Sequence, residues 1–84
     1  MDEKIREILI KKLNESLNKN DDIKKLLSCF ENMDFNSFHT GILIGRLYNS
    51  FFYQYRRILK RNPSNEEFTE FVEFIKNNLN SFSK

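Results

Sequence analysis

Apolar positions recur at spacings of three and four residues in four separate segments of the chain. This period is typical of amphipathic α-helices, and no segment shows the strict alternation expected of a half-buried strand. We therefore predict an all-α fold, a small four-helix bundle with a long central third helix. Residues 1–84 would form a single helical domain with helices at about 3–18, 22–32, 37–62 and 65–80.

Capping signals define several of the predicted helix ends. Asp2 precedes the first helix, and Asn36 or Ser37 is the predicted N-cap of the third. The fourth helix begins with a capping box, in which Ser64 and Glu67 can each accept a hydrogen bond from the other residue's backbone amide. This box is the most specific local signal in the sequence.

The third helix is the most aromatic and most basic segment. When its residues are placed at 100° intervals, one broad sector collects large side chains, which predicts burial by two or more neighbouring helices. That sector contains Ile44, Leu47, Tyr48, Phe51, Phe52, Tyr55, Ile58 and Leu59. The opposite sector is predicted to be a polar surface stripe of His39, Arg46, Ser50, Tyr53, Arg57, Lys60 and Arg61.

Two glycines within this helix require an explanation. Each costs about 1 kcal/mol relative to alanine in a helix interior. Ser37, Gly41 and Gly45 place a small residue at every fourth position, which permits close approach of another helix. That other helix could belong to the same chain, or the glycines could form a face for self-association.

The string FHTGILIG around these glycines resembles the glycine-zipper YG box of survival motor neuron proteins, in which YxxxG and SxxxG repeats drive helical oligomers. Most tyrosine positions of that motif are replaced here, by Phe38, Leu43 and Ile44. The resemblance is one of packing between helices. It implies that a helix with this row of small residues can associate with another helix.

Composition and charge narrow the class of protein. Charged residues are 31% of the chain and apolar residues 39%, which is typical of a globular domain. Residues 34–61 carry five basic and one acidic side chain, so the positive charge is concentrated on the third helix. The charged N-terminus lacks the apolar core of a signal peptide, and no run is long enough to span a membrane. These features predict a cytoplasmic protein.

Candidate chemistry is sparse. Cys29 is the only cysteine, which excludes an internal disulfide, and we predict that it is a small buried hydrophobe. Neither a Cys29–His39 pair nor a site built from Glu31, Asp34 and His39 matches a known catalytic or metal-ligand pattern. The carboxylates of Glu66, Glu67, Glu70 and Glu73 are predicted to be a solvated acidic face. No catalytic residue, metal or cofactor is predicted.

The sequence therefore favours a small helical protein-interaction module without catalytic activity, whose partner is a second copy or another protein. The predicted contact residues are Gly41, Gly45, Phe52, Tyr55 and Phe74. An inhibitor that blocks a larger protein would fit the same features. The alternative function is nucleic-acid binding by the basic stripe, with Arg46, Tyr53, Arg57, Lys60 and Arg61 as contacts.

Overall fold

The computed structural model describes residues 1–17, 20–30, 32 and 34–79. The chain forms α1 (Glu3–Leu17), α2 (Asn20–Leu27), α3 (Phe35–Gln54), a π-helix (Tyr55–Leu59) and α4 (Asn65–Leu79). No strand occurs in the described ranges, and the predicted all-α bundle with a long central helix is confirmed. The predicted ends of the first and fourth helices, residues 18 and 80, lie outside the described residues.

Two predicted caps are present. The Asp2 side chain accepts a hydrogen bond from the Ile5 amide at 3.1 Å. At the start of α4, the Glu67 amide donates to the Ser64 hydroxyl at 3.1 Å, and the Ser64 amide donates to the Glu67 carboxylate at 2.8 Å. The first turns of α1 and α4 are therefore satisfied by side chains, as their sequences predict.

The N-cap of α3 is Asp34, so the predicted cap at Asn36 or Ser37 is wrong. The Asp34 carboxylate accepts the Ser37 amide at 2.8 Å, and this hydrogen bond lowers the pKa of Asp34. The helix consequently starts at Phe35, two residues before the predicted start. The physical reason is that the carboxylate satisfies a free amide and adds a favourable charge at the positive end of the helix dipole.

The C-terminal end of this long helix also differs from the prediction. After Gln54 the backbone changes to a five-residue π-helix, and Lys60 adopts a left-handed conformation with φ 59°. A left-handed residue terminates a helix because the following amide can no longer continue the helical hydrogen bonds. The helical segment therefore ends at Leu59 instead of residue 62.

α2 is shorter than predicted, ending at Leu27 instead of about residue 32. Its last turn tightens, because the Cys29 amide bonds to the Leu26 carbonyl at 3.1 Å and the Phe30 amide to the Leu27 carbonyl at 2.9 Å. This turn leaves Cys29 exposed, so the predicted burial of the thiol is wrong. Of the described side chains in α2, only that of Ile23 is buried.

The core lies between α1, α3, the π-helix and α4. Phe51 is at its centre, where its ring stacks on that of Phe71 with 4.4 Å between centroids. α2 packs against α3 and, in the described part of the chain, contributes no residue to the main cluster. That cluster contains Ile5, Leu9, Leu13, Leu43, Leu47, Phe51, Tyr55, Phe71, Phe74 and Leu79.

α3 forms the spine of an elongated molecule of 41 × 22 × 19 Å and contacts each of the other three α-helices. None of the helices in the described ranges is both long and apolar enough to cross a bilayer. One long side of α3 packs into the core with α1 and α4, whereas the opposite side leaves Gly41, Gly45 and Tyr48 exposed.

Candidate interaction surfaces

The covered side of α3 is partly polar. His39 is 7% exposed and Ser50 is 9% exposed, so the prediction that they belong to a polar surface stripe is wrong. The His39 ring lies 5.4 Å from the ring of Phe35. The Ser50 hydroxyl has no hydrogen-bond partner among the described residues. The complete buried set on this side of α3 is His39, Leu43, Leu47, Ser50, Phe51 and Gln54.

The opposite side of α3, which we call the outward face, combines small and aromatic residues at spacings of three and four. Gly41, Gly45 and Tyr48 are exposed, whereas Phe38 and Phe52 are half-buried. All five residues lie within one sector of the helix, about 180° from the centre of the buried set. The outward face is defined by Ser37, Phe38, Gly41, Gly45, Tyr48 and Phe52.

The two glycines have no packing partner among the described residues. A Cβ atom added at either Gly41 or Gly45 would meet no atom within 4 Å. The explanation that these glycines allow another helix of the same chain to approach is therefore wrong for every helix in the described ranges. Ser37, Phe38, Gly41 and Ile42 instead line an open depression of about 430 Å³.

Aromatic side chains flank both ends of the glycine row. At the N-terminal end, the ring of Phe30 lies 6.0 Å from that of Phe38. At the C-terminal end, the ring centroid of Tyr48 lies 4.9 Å from that of Phe52. It lies 6.3 Å from the ring centroid of Phe68 of α4, and these two rings meet edge-on. Three of these rings are substantially exposed, at 54% for Phe30, 45% for Tyr48 and 38% for Phe68. The outward face is therefore a shallow apolar surface with the two glycines at its centre and aromatic rings at both ends.

Two of the predicted contact residues are in the core. Tyr55 is fully buried and Phe74 is 3% exposed, beneath the guanidinium of Arg6 at 5.8 Å. In this structure neither side chain offers a surface to a partner. Phe52, Gly41 and Gly45 remain on the outward face, and the sequence did not single out Phe38 and Tyr48 as contacts beside them.

A second surface, which we call the basic groove, runs between α1 and α3. One depression of about 420 Å³ is lined by Lys12, Arg46, Asn49, Ser50, Tyr53 and Gln54. A second of about 270 Å³ is lined by Ile8, Lys11, Lys12, Glu15, Gln54 and Arg57. Because Lys12 and Gln54 line both, the depressions adjoin. The sequence predicted Arg46, Tyr53 and Arg57 here, but it missed the two lysines of α1.

The other two residues of the predicted basic stripe lie outside this groove. Arg61 donates two hydrogen bonds to the Glu67 carboxylate, at 2.7 and 3.0 Å, and its guanidinium lies 5.5 Å from the centre of the Tyr55 ring. Lys60 is exposed and lines neither depression. Arg61 is thus part of a structural contact that joins the π-helix to the start of α4.

Glu67 is the acceptor at the centre of that contact. The Arg61 guanidinium, together with the Ser64 amide and hydroxyl, lowers the pKa of Glu67 from 4.5 to about 2. Nearby, the Tyr55 hydroxyl accepts the Asp2 amide at 3.3 Å, and burial raises the pKa of that phenol. The Glu67 carboxylate is therefore held by hydrogen bonds and an ion pair, whereas the sequence predicted that it would be part of a solvated acidic face.

Replacing Glu67 by glutamine (Glu67→Gln) should lower the free energy of unfolding by about 1 kcal/mol at pH 7, because a capping-box acceptor and an ion pair are both weakened. The folded-state pKa lies below the unfolded value of 4.5, so this stabilisation is complete above pH 4.5 and lost as the pH falls towards 2. Urea unfolding at pH 7 and pH 3 should show the difference shrinking at the lower pH. The control is Glu73→Gln, at an exposed position of α4. An equal loss of unfolding free energy in the control would contradict the stabilising role of the Glu67 contacts.

The residues that the sequence offered for catalysis or metal binding are Cys29, Glu31, Asp34 and His39. Cys29 lies exposed after α2, whereas His39 lies on the buried side of α3. The hypothetical ligand Glu31 is outside the described residues, and no three His, Cys, Asp or Glu side chains converge in the described part. Comparison of this chain with protein-family models, curated proteins and solved structures finds no match.

Proposed function

We propose that this chain is a self-associating helical interaction module that forms a homodimer through the outward face of α3 and has no catalytic role. The single observation that carries the proposal is the pair of glycines, Gly41 and Gly45, whose missing Cβ atoms leave open space on an exposed helix face. We also propose that it acts in the cytoplasm, given its charged first helix and lone exposed thiol.

The glycines favour a partner helix on energetic grounds. Together they cost about 2 kcal/mol of helix stability relative to alanine, and no contact within the described chain offsets this cost. A second helix that crosses above Gly41 and Gly45 would offset it, because its backbone could approach more closely than at any other point of α3.

The spacing of the outward face also favours a helical partner. Phe38, Gly41, Gly45, Tyr48 and Phe52 are separated by alternating steps of three, four, three and four residues. This is the spacing of the contact seam between two packed helices. The seam has protruding aromatic side chains at both ends and glycines in the middle. It is therefore complementary in shape to a second copy of itself in the reversed direction.

Charge favours a second copy of the chain in the antiparallel orientation. From Phe35 to Gln54, the only Lys, Arg, Asp or Glu residue of α3 is Arg46, which lies off the outward face, so two such faces can meet without like-charge repulsion. The cations Arg56 and Arg57 follow at the C-terminal end. An antiparallel crossing separates the two cationic ends and pairs opposite helix dipoles, whereas a parallel crossing would bring them together.

Centring the two-fold axis between the glycines sets the register. Gly41 of one copy would face Gly45 of the other, and Phe38 would face Tyr48. The partner's Tyr48 would enter the depression lined by Ser37, Phe38, Gly41 and Ile42. Such paired aromatic side chains supply the apolar contact area that glycines cannot provide.

Replacing Gly45 by leucine (Gly45→Leu) should abolish the dimer, because the new side chain separates the two backbones at the crossing. The space around Gly45 is open, so the monomer should keep its fold and its helical circular dichroism. Light scattering over a range of concentrations should give a mass of 10.2 kDa for the variant and the mass of two chains for the unmodified protein. The control is Asn77→Leu, which adds a leucine at an exposed position of α4.

A monomeric unmodified chain at all concentrations would refute the proposal, and a dimer that survives Gly45→Leu would refute the assigned face. Orientation can be tested in a Cys29→Ser background. An antiparallel crossing predicts that Gly41→Cys and Gly45→Cys chains cross-link efficiently only when mixed, since close backbone approach brings the two positions within disulfide reach. Efficient cross-linking of each variant with itself would indicate a parallel pair.

A further inference from the structure

The basic groove is a second, separate surface, and we propose that it binds single-stranded nucleic acid along the seam between α1 and α3. Four cations line it: Lys11 and Lys12 from α1, Arg46 from α3 and Arg57 from the π-helix. Glu15 is the one carboxylate among the lining residues. The groove lies on a different side of α3 from the outward face, so it does not depend on dimer formation.

The four cations are available to a ligand. Within the described part of the chain, none of them forms an ion pair, although Arg57 donates through Nε to the Gln54 side chain at 3.1 Å. This distinguishes them from Arg61, whose guanidinium is held by Glu67. A groove that concentrates unpaired positive charge favours a polyanion such as a phosphate backbone.

Tyr53 gives the groove a contact for bases. Its side chain is 58% exposed, the highest fraction among the large apolar residues described, and it has no ring partner among them. An exposed ring between cations is the arrangement with which proteins stack unpaired bases while cations hold the backbone. The exposed side chain of Asn49 lines the same depression and can hydrogen-bond to bases or sugars.

The shape of the surface favours a single strand over a duplex. Duplex DNA is usually read by a helix that projects into the major groove, whereas this site is a recess between two packed helices. The chain's other candidate for a projecting helix, α4, carries Glu66 and Glu67 in its first turn, which would repel phosphates. A flexible strand can follow the recess and turn a base onto Tyr53.

Fluorescence anisotropy with labelled oligo(dT) and oligo(U) provides the first test. Four neutralised phosphates predict a slope of log affinity against log salt of about −3 for single strands, so affinity should fall about 50-fold between about 50 and 200 mM salt. Equal affinity for both oligomers would indicate contacts to phosphates and bases alone. Tighter binding of oligo(U) would indicate a contact to the ribose hydroxyl.

Charge variants test the location. The double change Lys12→Gln with Arg46→Gln should lower affinity at least tenfold at low salt and reduce the slope by about 1.4. The matched control, Lys25→Gln with Lys76→Gln, removes the same charge from exposed positions on α2 and α4 and should change affinity less than about twofold. Equal losses in both variants would show that net charge alone drives binding and would overturn the groove assignment.

Variants of Tyr53 test the stacking contact. Tyr53→Ala should weaken binding about fivefold or more, whereas Tyr53→Phe, which keeps the ring, should retain most of the affinity. The Gly45→Leu chain should bind with unchanged affinity per chain, so failure of the dimer would leave this result intact. No binding to either oligomer at low salt, or tighter binding to a duplex of the same length, would overturn the proposal.

Discussion

Phe51→Ala should lower the free energy of unfolding by about 3–5 kcal/mol, the range typical for removal of a fully buried aromatic ring. The side chain has no exposed surface, and its ring stacks on that of Phe71 and meets that of Tyr55 edge-on at 5.0 Å. Deleting it would leave a cavity where α3 meets α4. Because a chain of 84 residues is stable by only about 4–13 kcal/mol, this one change removes a large share of the total.

Thermal unfolding followed by circular dichroism, with urea unfolding at 25 °C, would measure the loss, and the midpoint should fall by at least about 12 °C. Phe68→Ala is the matched control, because that ring belongs to the same aromatic group but is 38% exposed. It should cost about 1–2 kcal/mol. Similar losses for the two variants would contradict the position of Phe51 at the centre of the core.

The double change Gly41→Ala with Gly45→Ala should stabilise the isolated monomer by about 2 kcal/mol and at the same time weaken the dimer. Alanine removes the conformational-entropy cost of both glycines, and its Cβ atoms would meet no atom of the described residues within 4 Å. In the proposed dimer the same methyl groups would point into the crossing and force the two backbones apart.

The opposing effects can be separated by protein concentration. Association adds to apparent stability by mass action, so the unfolding midpoint of the unmodified chain should rise with concentration. The variant should unfold later than the unmodified chain at low concentration and should show a smaller rise. Asn77→Ala, at an exposed position of α4, is the control for a general effect of adding alanine. A variant that is less stable at low concentration would contradict the open space seen around the glycines.

The sequence predicted the helical class and the ends that side chains determine. The Asp2 cap and the Ser64–Glu67 box depend on residues three apart in the chain, so local chemistry is sufficient to specify them. The start of α3 was misplaced because Asp34, Asn36 and Ser37 are all acceptable caps. The local sequence does not rank the three, and in the structure it is Asp34 that accepts the Ser37 amide.

The buried side of α3 could not be predicted as reliably. This helix is apolar around most of its circumference, so the 100° pattern does not identify which side faces the core. It placed Tyr48 with the buried residues and His39 and Ser50 in solvent, and the structure shows the opposite for all three. The contribution of Lys12 to the basic groove was also invisible, because it depends on how α1 docks against α3.

The position of α2 outside the core cluster has a consequence for cooperativity. Undocking of α2 would remove one buried described side chain, that of Ile23, while leaving the packed rings around Phe51 intact. We therefore expect α2 to open locally with a free energy smaller than that of global unfolding. The ring of Phe30 lies against that of Phe38 at one end of the outward face. Movement of α2 would therefore change the width of the outward face at that end and leave the surface around Gly41 and Gly45 unchanged.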